Sequence, residues 1–398
     1  MRSLRTSAFV LVTALVPIAA GLVIAEIAAR YIMVTKQYNF YLPLELNPRS
    51  IDSALGQFAR TFDADLGWEP TSDNVHGYIG PERDSSTAVL SLFGDSFTQG
   101  YPDPEKSWAV QLEKRLGRPV LNFGVAGYGT DQAYLRFEKR YASTARTPYV
   151  FLGVLSENIA RILNRYRGFY FRKTYLNGVK PRFVLGPEKN LRLVPTPIRS
   201  AQELPRLLDP AFRDEIGASD YWYQYYERYG LNRTIHFPYC YFLARAMPFY
   251  IQAFRAKRMN NDSEYKILYR DPEACALLEA IILRFVDRVS EQGGTPIVMF
   301  FPGWKDLADR ATGRPVVYEE FRERLRSHGF AELDAMDYFA PSLAAGAAVG
   351  DFFRSYEDGH YNEKGEEIIA AGLFHDLQEI DKARNLLAPR SSIEAPAP

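Results

Sequence analysis

The sequence predicts an α/β fold: a parallel sheet wrapped by helices on both faces, preceded by an apolar N-terminal helix and interrupted by a large aromatic-rich insertion. Three observations carry this. From Thr87 onward, short apolar runs rich in β-favouring residues alternate with segments of helical periodicity, the pattern of βαβ units. The apolar run 88–93 stops abruptly at Gly94-Asp95-Ser96, as a buried parallel strand does at its carboxyl end. The alternation is broken over 161–271 by a stretch too long to be structureless.

The elements follow in order. Residues 88–93 are strand one, and 108–116 a helix ending at Gly117. Residues 119–123 are a second strand entering the turn Gly124-Val125-Ala126-Gly127-Tyr128-Gly129, after which Thr130 is placed to cap a helix over 131–141. The third strand is 148–155. Beyond the interruption, 274–291 is a long helix stopped by Gly293-Gly294, 296–301 a fourth strand, 317–328 a helix, 330–333 a short fifth strand and 362–377 the closing helix. The organisation expected is therefore an anchor at 1–34, a connector at 35–86, an α/β domain formed by 87–160 and 272–381, an insertion or cap at 161–271, and a Pro/Ala/Ser-rich tail at 382–398 expected to be disordered.

With 48 basic and 48 acidic residues, the chain has no global field to recruit nucleic acid and no basic run. Its 47% hydrophobic and 14% aromatic content is ample for a core. Residues 7–25 are 19 uncharged, mostly aliphatic positions, close to the ~20 that span a bilayer. That length favours an uncleaved anchor over a signal peptide cut after Val23-Ile24-Ala25. Arg2 and Arg5 ahead of it favour an inside N-terminus and an exported remainder, periplasmic or extracellular, although Arg30 and Lys36 oppose them. Cys240 and Cys275 have no metal spacing. Tyr, Phe and Arg crowd the insertion, as in Tyr221-Trp222-Tyr223-Gln224-Tyr225-Tyr226. They suit a carbohydrate or acyl ligand, or simply pack as a local aromatic core.

Acyl transfer by serine needs a nucleophile, a base, a carboxylate to orient the base, and donors for the oxyanion. Candidates stand at the ends of successive strands, which in a doubly wound sheet face one rim. Ser96 follows strand one, where the alternative is a plain helix cap. Gly127 lies in the turn after strand two, Asn158 follows strand three, and Glu357, Asp358 and His360 precede the closing helix. His76, His236, His328 and His375 lack ligand-type neighbours at metal spacing and read as structural or solvated.

These blocks resemble the SGNH/GDSL hydrolases. Gly94-Asp95-Ser96 matches the nucleophile block, and Asn122-Phe123-Gly124-Val125-Ala126-Gly127 the second block, whose glycine N–H is an oxyanion donor. Gly153-Val154-Leu155-Ser156-Glu157-Asn158 matches the third loosely, and Asp358-Gly359-His360 with Asn362 and Gly365 the last. Asp63-Ala64-Asp65-Leu66-Gly67-Trp68 after an apolar helix resembles membrane-anchored members. The resemblance covers 88–160 and 274–380 and leaves out the insertion. It implies a five-stranded flavodoxin-like sheet and esterase or O-acyltransferase activity without a metal or organic cofactor. Ser96 is then the nucleophile and His360 the base; the N–H groups of Ser96 and Gly127 and the Asn158 amide hold the oxyanion. Two departures stand out. The third block usually reads Gly-x-Asn-Asp, and the last Asp-x-x-His, so here Glu357 occupies the usual aspartate position while Asp358 is two residues from His360. Asp358 is the expected orienting acid and Glu357 the alternative. The expected substrate is a small acyl ester, an O-acetyl group on an envelope or exported glycan. The rivals are acetyl transfer to an exopolysaccharide, and a catalytically silent glycan-binding or assembly protein.

Overall fold

A computed structural model describes residues 2–35, 55–70, 76–143, 146–171, 178–232, 236–259 and 264–387. Five strands make one parallel sheet: β1 (Leu90–Phe93), β2 (Val120–Asn122), β3 (Tyr149–Leu155), β4 (Thr295–Phe301) and β5 (Ala331–Asp334). Their order is β2-β1-β3-β4-β5. Strands β1 to β4 are near-continuous apolar runs because helices cover both faces, and every residue of β1, β2 and β3 is buried; the edge strand β5, Ala331-Glu332-Leu333-Asp334, alternates with polar residues and is largely half-buried. The chain runs outward from β1 to β2 and then crosses back to β3. That reversal is a topological switch point, and ligands of such sheets bind outside the strand carboxyl ends there. Helix Glu363–Asp381 packs against both Trp108–Leu116 and Ala335–Ala344, and Thr130–Arg140 packs against Pro272–Glu291, giving the two helical layers.

The α/β sheet is as the periodicity predicts, with element ends moved by up to four residues. Helix Thr130–Arg140 starts one residue early: Gly129 is its cap position, and the Gly129 N–H donates to Gln132 Oε1, so Thr130 is the first helical residue and not the cap. Helices also lie outside the expected set, two of them α-helices between β4 and the closing helix. Trp304–Ala311 is short and opens at Gly303, and Ala335–Ala344 contains Pro341, which reads as a breaker.

Contacts divide the chain into two units. One holds 1–54, 166–176 and 205–263; the other holds 55–165, 177–204 and 264–398. The boundary thus runs elsewhere than the expected 161–271, because two outlying stretches are tied into the α/β unit by buried polar contacts. In the first, Phe62–Asp63 and Gly67–Trp68 form a small antiparallel hairpin. Gln132 Nε2 donates to Leu66 O at 2.7 Å, and Arg136, 2% exposed, pairs with Glu69 at 2.8 Å. In the second, Lys180 pairs with Asp131, both fully enclosed, just ahead of the hairpin Arg182–Leu185/Leu191–Val194.

The other unit contains helix Arg2–Arg30, a π-helical turn Tyr31–Thr35, and helices Arg167–Phe171, Pro210–Gly217, Tyr221–Glu227 and Tyr239–Met259. Its aromatics pack on each other: Phe169 meets Tyr223 edge-on at 4.9 Å, and Tyr170 lies 4.9 Å from Trp222. Trp222, Tyr223 and Tyr226 are buried. Both cysteines are free thiols. Connector residues 36–54 and 71–75 and tail residues 388–398 lie outside the described residues. The first part of the expected tail is ordered: the N–H groups of Leu386 and Leu387 donate to the Asp381 carboxylate at 2.7 and 2.9 Å.

Candidate active site

The turn after β1 is tight because nothing larger than glycine fits. A Cβ on Gly94 would sit 1.9 Å from Thr98 Oγ1. Asp95 then leaves the strand in extended backbone, and its Oδ1 accepts the Phe97 N–H at 2.9 Å, making Asp95 the cap of a short helix, Ser96–Gln99. The plain-cap alternative for Ser96 therefore fails; Asp95 does that work and the serine side chain is left for another partner. That partner is 264 residues away: Ser96 Oγ lies 2.8 Å from His360 Nε2.

His360 is held from its other nitrogen, Nδ1 standing 2.5 Å from Asp358 Oδ1. Gly359 between them has φ +70°, a left-handed turn residue that lets a carboxylate two positions back fold onto the ring. Glu357 is exposed and has no side-chain partner among the described residues. Of the two acids offered by the sequence, the geometry brings only Asp358 to the imidazole.

The loop bearing this pair is braced at both ends. Asn362 caps the closing helix through Gly365 N at 3.1 Å, and its Nδ2 donates to Asp351 O at 2.9 Å and Phe353 O at 3.2 Å. Arg354 N–H donates to His360 O at 2.9 Å, and Arg354 Nη2 donates to the same Asp358 Oδ1 at 3.1 Å. Asp358 thus faces two cationic groups when the imidazole is protonated. Phe97 packs against the ring at 5.3 Å. The His360 side chain is 33% exposed, so solvent reaches the base.

Two backbone donors stand nearby in sequence. The Ser96 and Gly127 N–H groups have no acceptor among the described residues. Gly127 has φ +80°, which favours glycine at that turn. The turn is clamped from outside: Trp68 Nε1 donates to Ala126 O at 3.2 Å, and Tyr128 OH donates to Trp68 O. The Asp63–Trp68 string therefore acts as a brace for the second block.

Asn158 departs from expectation. It is 1% exposed, and its Nδ2 donates to Asp95 Oδ2 at 3.0 Å and to Tyr128 O at 3.4 Å, while its Oδ1 accepts Leu155 N–H at 3.1 Å. Both amide protons are taken, so the side chain supports Asp95 and does not stand open to a substrate oxygen. Arg161, which sequence reasoning passed over, joins it: Nη1 donates to Asp95 Oδ2 at 3.0 Å and to Tyr128 O at 3.1 Å. The available signal was physical. A carboxylate buried at a strand end must be paired, and Asp95 is 0% exposed. Behind the short helix, Glu366 accepts the Trp108 N–H at 2.7 Å, and burial pushes its carboxyl up to about 8. Among the described residues, no cluster of histidine, cysteine and acidic groups is arranged to hold a metal ion.

No family model and no curated protein matches the chain. Two solved structures are similar to it. One, named for the G-D-S-L family of lipolytic proteins and from Desulfitobacterium hafniense DCB-2, is 14% identical over 72% of this chain and 98% of its own, with a TM-score of 0.33. The other, from the same named family in Veillonella parvula DSM 2008, is 12% identical over 73% and 98%, with a TM-score of 0.36. At these scores neither likeness carries an argument; the fold stands on the chain's own sheet order. The chain has the flavodoxin-like α/β fold that its resemblance to the SGNH/GDSL hydrolases implies, with Ser96, His360 and Asp358 joined in one hydrogen-bonded line beyond β1.

Proposed function

We propose that the protein is a serine esterase of the SGNH/GDSL type acting on small acyl esters. The observation that supports it most is the Ser96–His360–Asp358 line, in which a half-exposed hydroxyl meets a base whose far nitrogen is held by a carboxylate. Ser96 Oγ attacks the ester carbonyl as His360 Nε2 takes its proton, and Asp358 keeps the imidazole in the required tautomer and stabilises the imidazolium. The Ser96 and Gly127 N–H groups hold the oxyanion. His360 returns the proton to the leaving alkoxide, giving an acyl-enzyme on Ser96. A second nucleophile, deprotonated by the same imidazole, then attacks the acyl carbonyl and frees the serine. Water as that nucleophile completes hydrolysis; a glycan hydroxyl completes O-acyl transfer with the same residues. Helix Arg2–Arg30, whose segment Leu15–Met33 is long and apolar enough to cross a membrane, would tether the chain, with the remainder exported.

The test is acetate release from aryl acetates and acetylated sugars, with and without a glycan acceptor, alongside fluorophosphonate labelling. Release without acceptor supports the esterase; release that needs acceptor and yields an acetylated glycan reassigns it to a transferase. No release and no labelling leaves the silent glycan-binding protein.

A further inference from the structure

The unit carrying the apolar N-terminal helix contains a second helix with an exposed apolar side. In helix Tyr239–Met259, Arg245 is the one charged residue over 239–251, and the other charges cluster at 255–258. At ~100° per residue, Tyr241, Ala244, Met247, Pro248, Ile251 and Phe254 fall on one arc, and all six are exposed. The large ones are strongly so: Tyr241 57%, Met247 41%, Ile251 45% and Phe254 63%. Arg255 falls inside this arc, between Ala244 and Pro248, and is exposed as well; its long stem lets the guanidinium reach the headgroups from an apolar face. On the opposite side Phe242 and Ala246 are buried. A water-facing helix places polar residues where this one places Met, Ile and Phe.

What covers that face is indicated by what holds the helix. Its first two N–H groups, those of Tyr239 and Cys240, donate to Glu26 Oε2 at 2.6 Å and Oε1 at 3.1 Å. Glu26 lies in helix Arg2–Arg30, inside the segment Leu15–Met33 that is long and apolar enough to cross a membrane. A carboxylate in such a segment is costly unless paired. Here it is paired with the N-terminus of the second helix, whose partial positive charge suits it. Arg30 stands 6.0 Å from the Tyr239 ring, and Tyr31 is 52% exposed beside it. Tyrosines collect where a spanning helix leaves the bilayer, and an arginine near the end of a span extends its head to the interface. The two helices are thus joined in the C-terminal half of that segment, and both present exposed apolar residues.

We infer that helix Tyr239–Met259 is an interfacial membrane helix, lying in the headgroup layer with its Tyr241–Phe254 face in the acyl chains, and that Glu26 couples it to the spanning helix. Such a helix buries its apolar face ~5–10 Å below the headgroups. Together the two elements would hold the unit against the bilayer at two places. This rests on the membrane-anchor reading of the N-terminal helix.

The test uses full-length protein with Cys240→Ser and Cys275→Ala, one new cysteine labelled with an environment-sensitive fluorophore, reconstituted in phosphatidylcholine/phosphatidylglycerol vesicles. Labels at Phe254→Cys and Ile251→Cys are compared with Leu22→Cys in the span and Lys114→Cys on the exposed surface of the α/β unit. Brominated acyl chains should quench the 251 and 254 labels at least about twofold, as they do the label at 22, while aqueous iodide quenches only the label at 114. Iodide quenching at 251 and 254 with the label at 22 lipid-quenched would overturn the interfacial helix and leave the anchor standing. Quenching by neither agent would give that face to a protein partner or a second copy, also against the proposal. A label at 22 untouched by lipid would remove the anchor and the proposal together.

Discussion

Ser96 and Ser156 both follow strands of the central sheet, β1 and β3, and both hydroxyls meet a partner from a distant part of the chain. Ser96 is half-buried and meets a histidine. Ser156 is 1% exposed, and its Oγ donates to the Asp306 carboxylate, which also accepts the Gly303 N–H at 2.9 Å and the Tyr265 OH at 3.3 Å. Its carbonyl accepts the Tyr269 hydroxyl at 3.0 Å. Every polar atom around Ser156 is consumed inside the protein, and burial pushes the Asp306 carboxyl up from its ordinary range. A buried serine on a carboxylate is a structural joint between β3 and the first turn of helix Trp304–Ala311 after β4. A serine open to solvent, on a base itself oriented by an acid, is a reactive group. Position at the sheet rim is shared by the two; access and the kind of partner separate them.

The sharpest way to break this contrast is to remove each hydroxyl. Ser96→Ala should abolish fluorophosphonate labelling and lower turnover on the order of 10⁶-fold, with unfolding unchanged. If labelling persists in Ser96→Ala and disappears in folded Ser156→Ala, the roles are reversed.

Next comes the acid. Asp358→Asn should cost kcat up to ~10⁴-fold, because the amide no longer holds the tautomer or balances the imidazolium. Glu357→Gln, at an exposed and unpartnered side chain, should stay within about twofold of the parent. Equal effects in kinetics of purified variants would detach His360 from Asp358.

Ser156→Ala should instead be a stability variant. Leaving Asp306 short of one donor in a buried site costs ~1–3 kcal/mol, read as a lower urea midpoint, with kcat close to the parent.

Arg354 sharpens the same comparison from the side of charge. Its guanidinium shares Asp358 Oδ1 with the imidazole. Arg354→Gln removes a side-chain tie across the 354–360 turn and leaves the imidazole as the remaining partner of that carboxylate among the described residues. An exposed ion pair of this kind is weak, so kcat should stay within about fivefold of the parent. A loss as large as that of Asp358→Asn would place Arg354 in the catalytic line.

Glu366 bears on stability alone. Its carboxyl, raised from 4.5 to about 8 by burial, keeps its proton in the folded protein at pH values where the unfolded chain has lost it. Unfolding then releases a proton, so stability is full below about 4.5 and declines as pH rises toward 8. Glu366→Gln, which retains an acceptor for Trp108 N–H, should flatten that decline when urea unfolding is compared at pH 5 and pH 8. A slope equal to the parent's would assign the decline to other groups.

The sequence by itself determined the sheet and its main crossover helices, since strands β1 to β4 are near-continuous apolar runs and the crossover helices have their own periodicity and stop signals, as at Gly117, which sits in the left-handed cap. It also placed Ser96 at a strand end and His360 before the closing helix, because turn residues are local signals. It did not disclose helix Ala335–Ala344, whose Pro341 argues against a helix unless packing supports one. Nor did it show that 177–204 belongs with the α/β unit, which depends on Lys180 finding a buried Asp131. At the site, tertiary structure alone decided that Asp95 is the cap, that Asp358 and not Glu357 meets the imidazole, and that the Asn158 amide is spent on Asp95. The reason is one of range. Backbone conformation follows from neighbours a few residues away, whereas the partner of a side-chain hydrogen bond follows from strand register and loop closure, which bring residues 264 positions apart to within 2.8 Å.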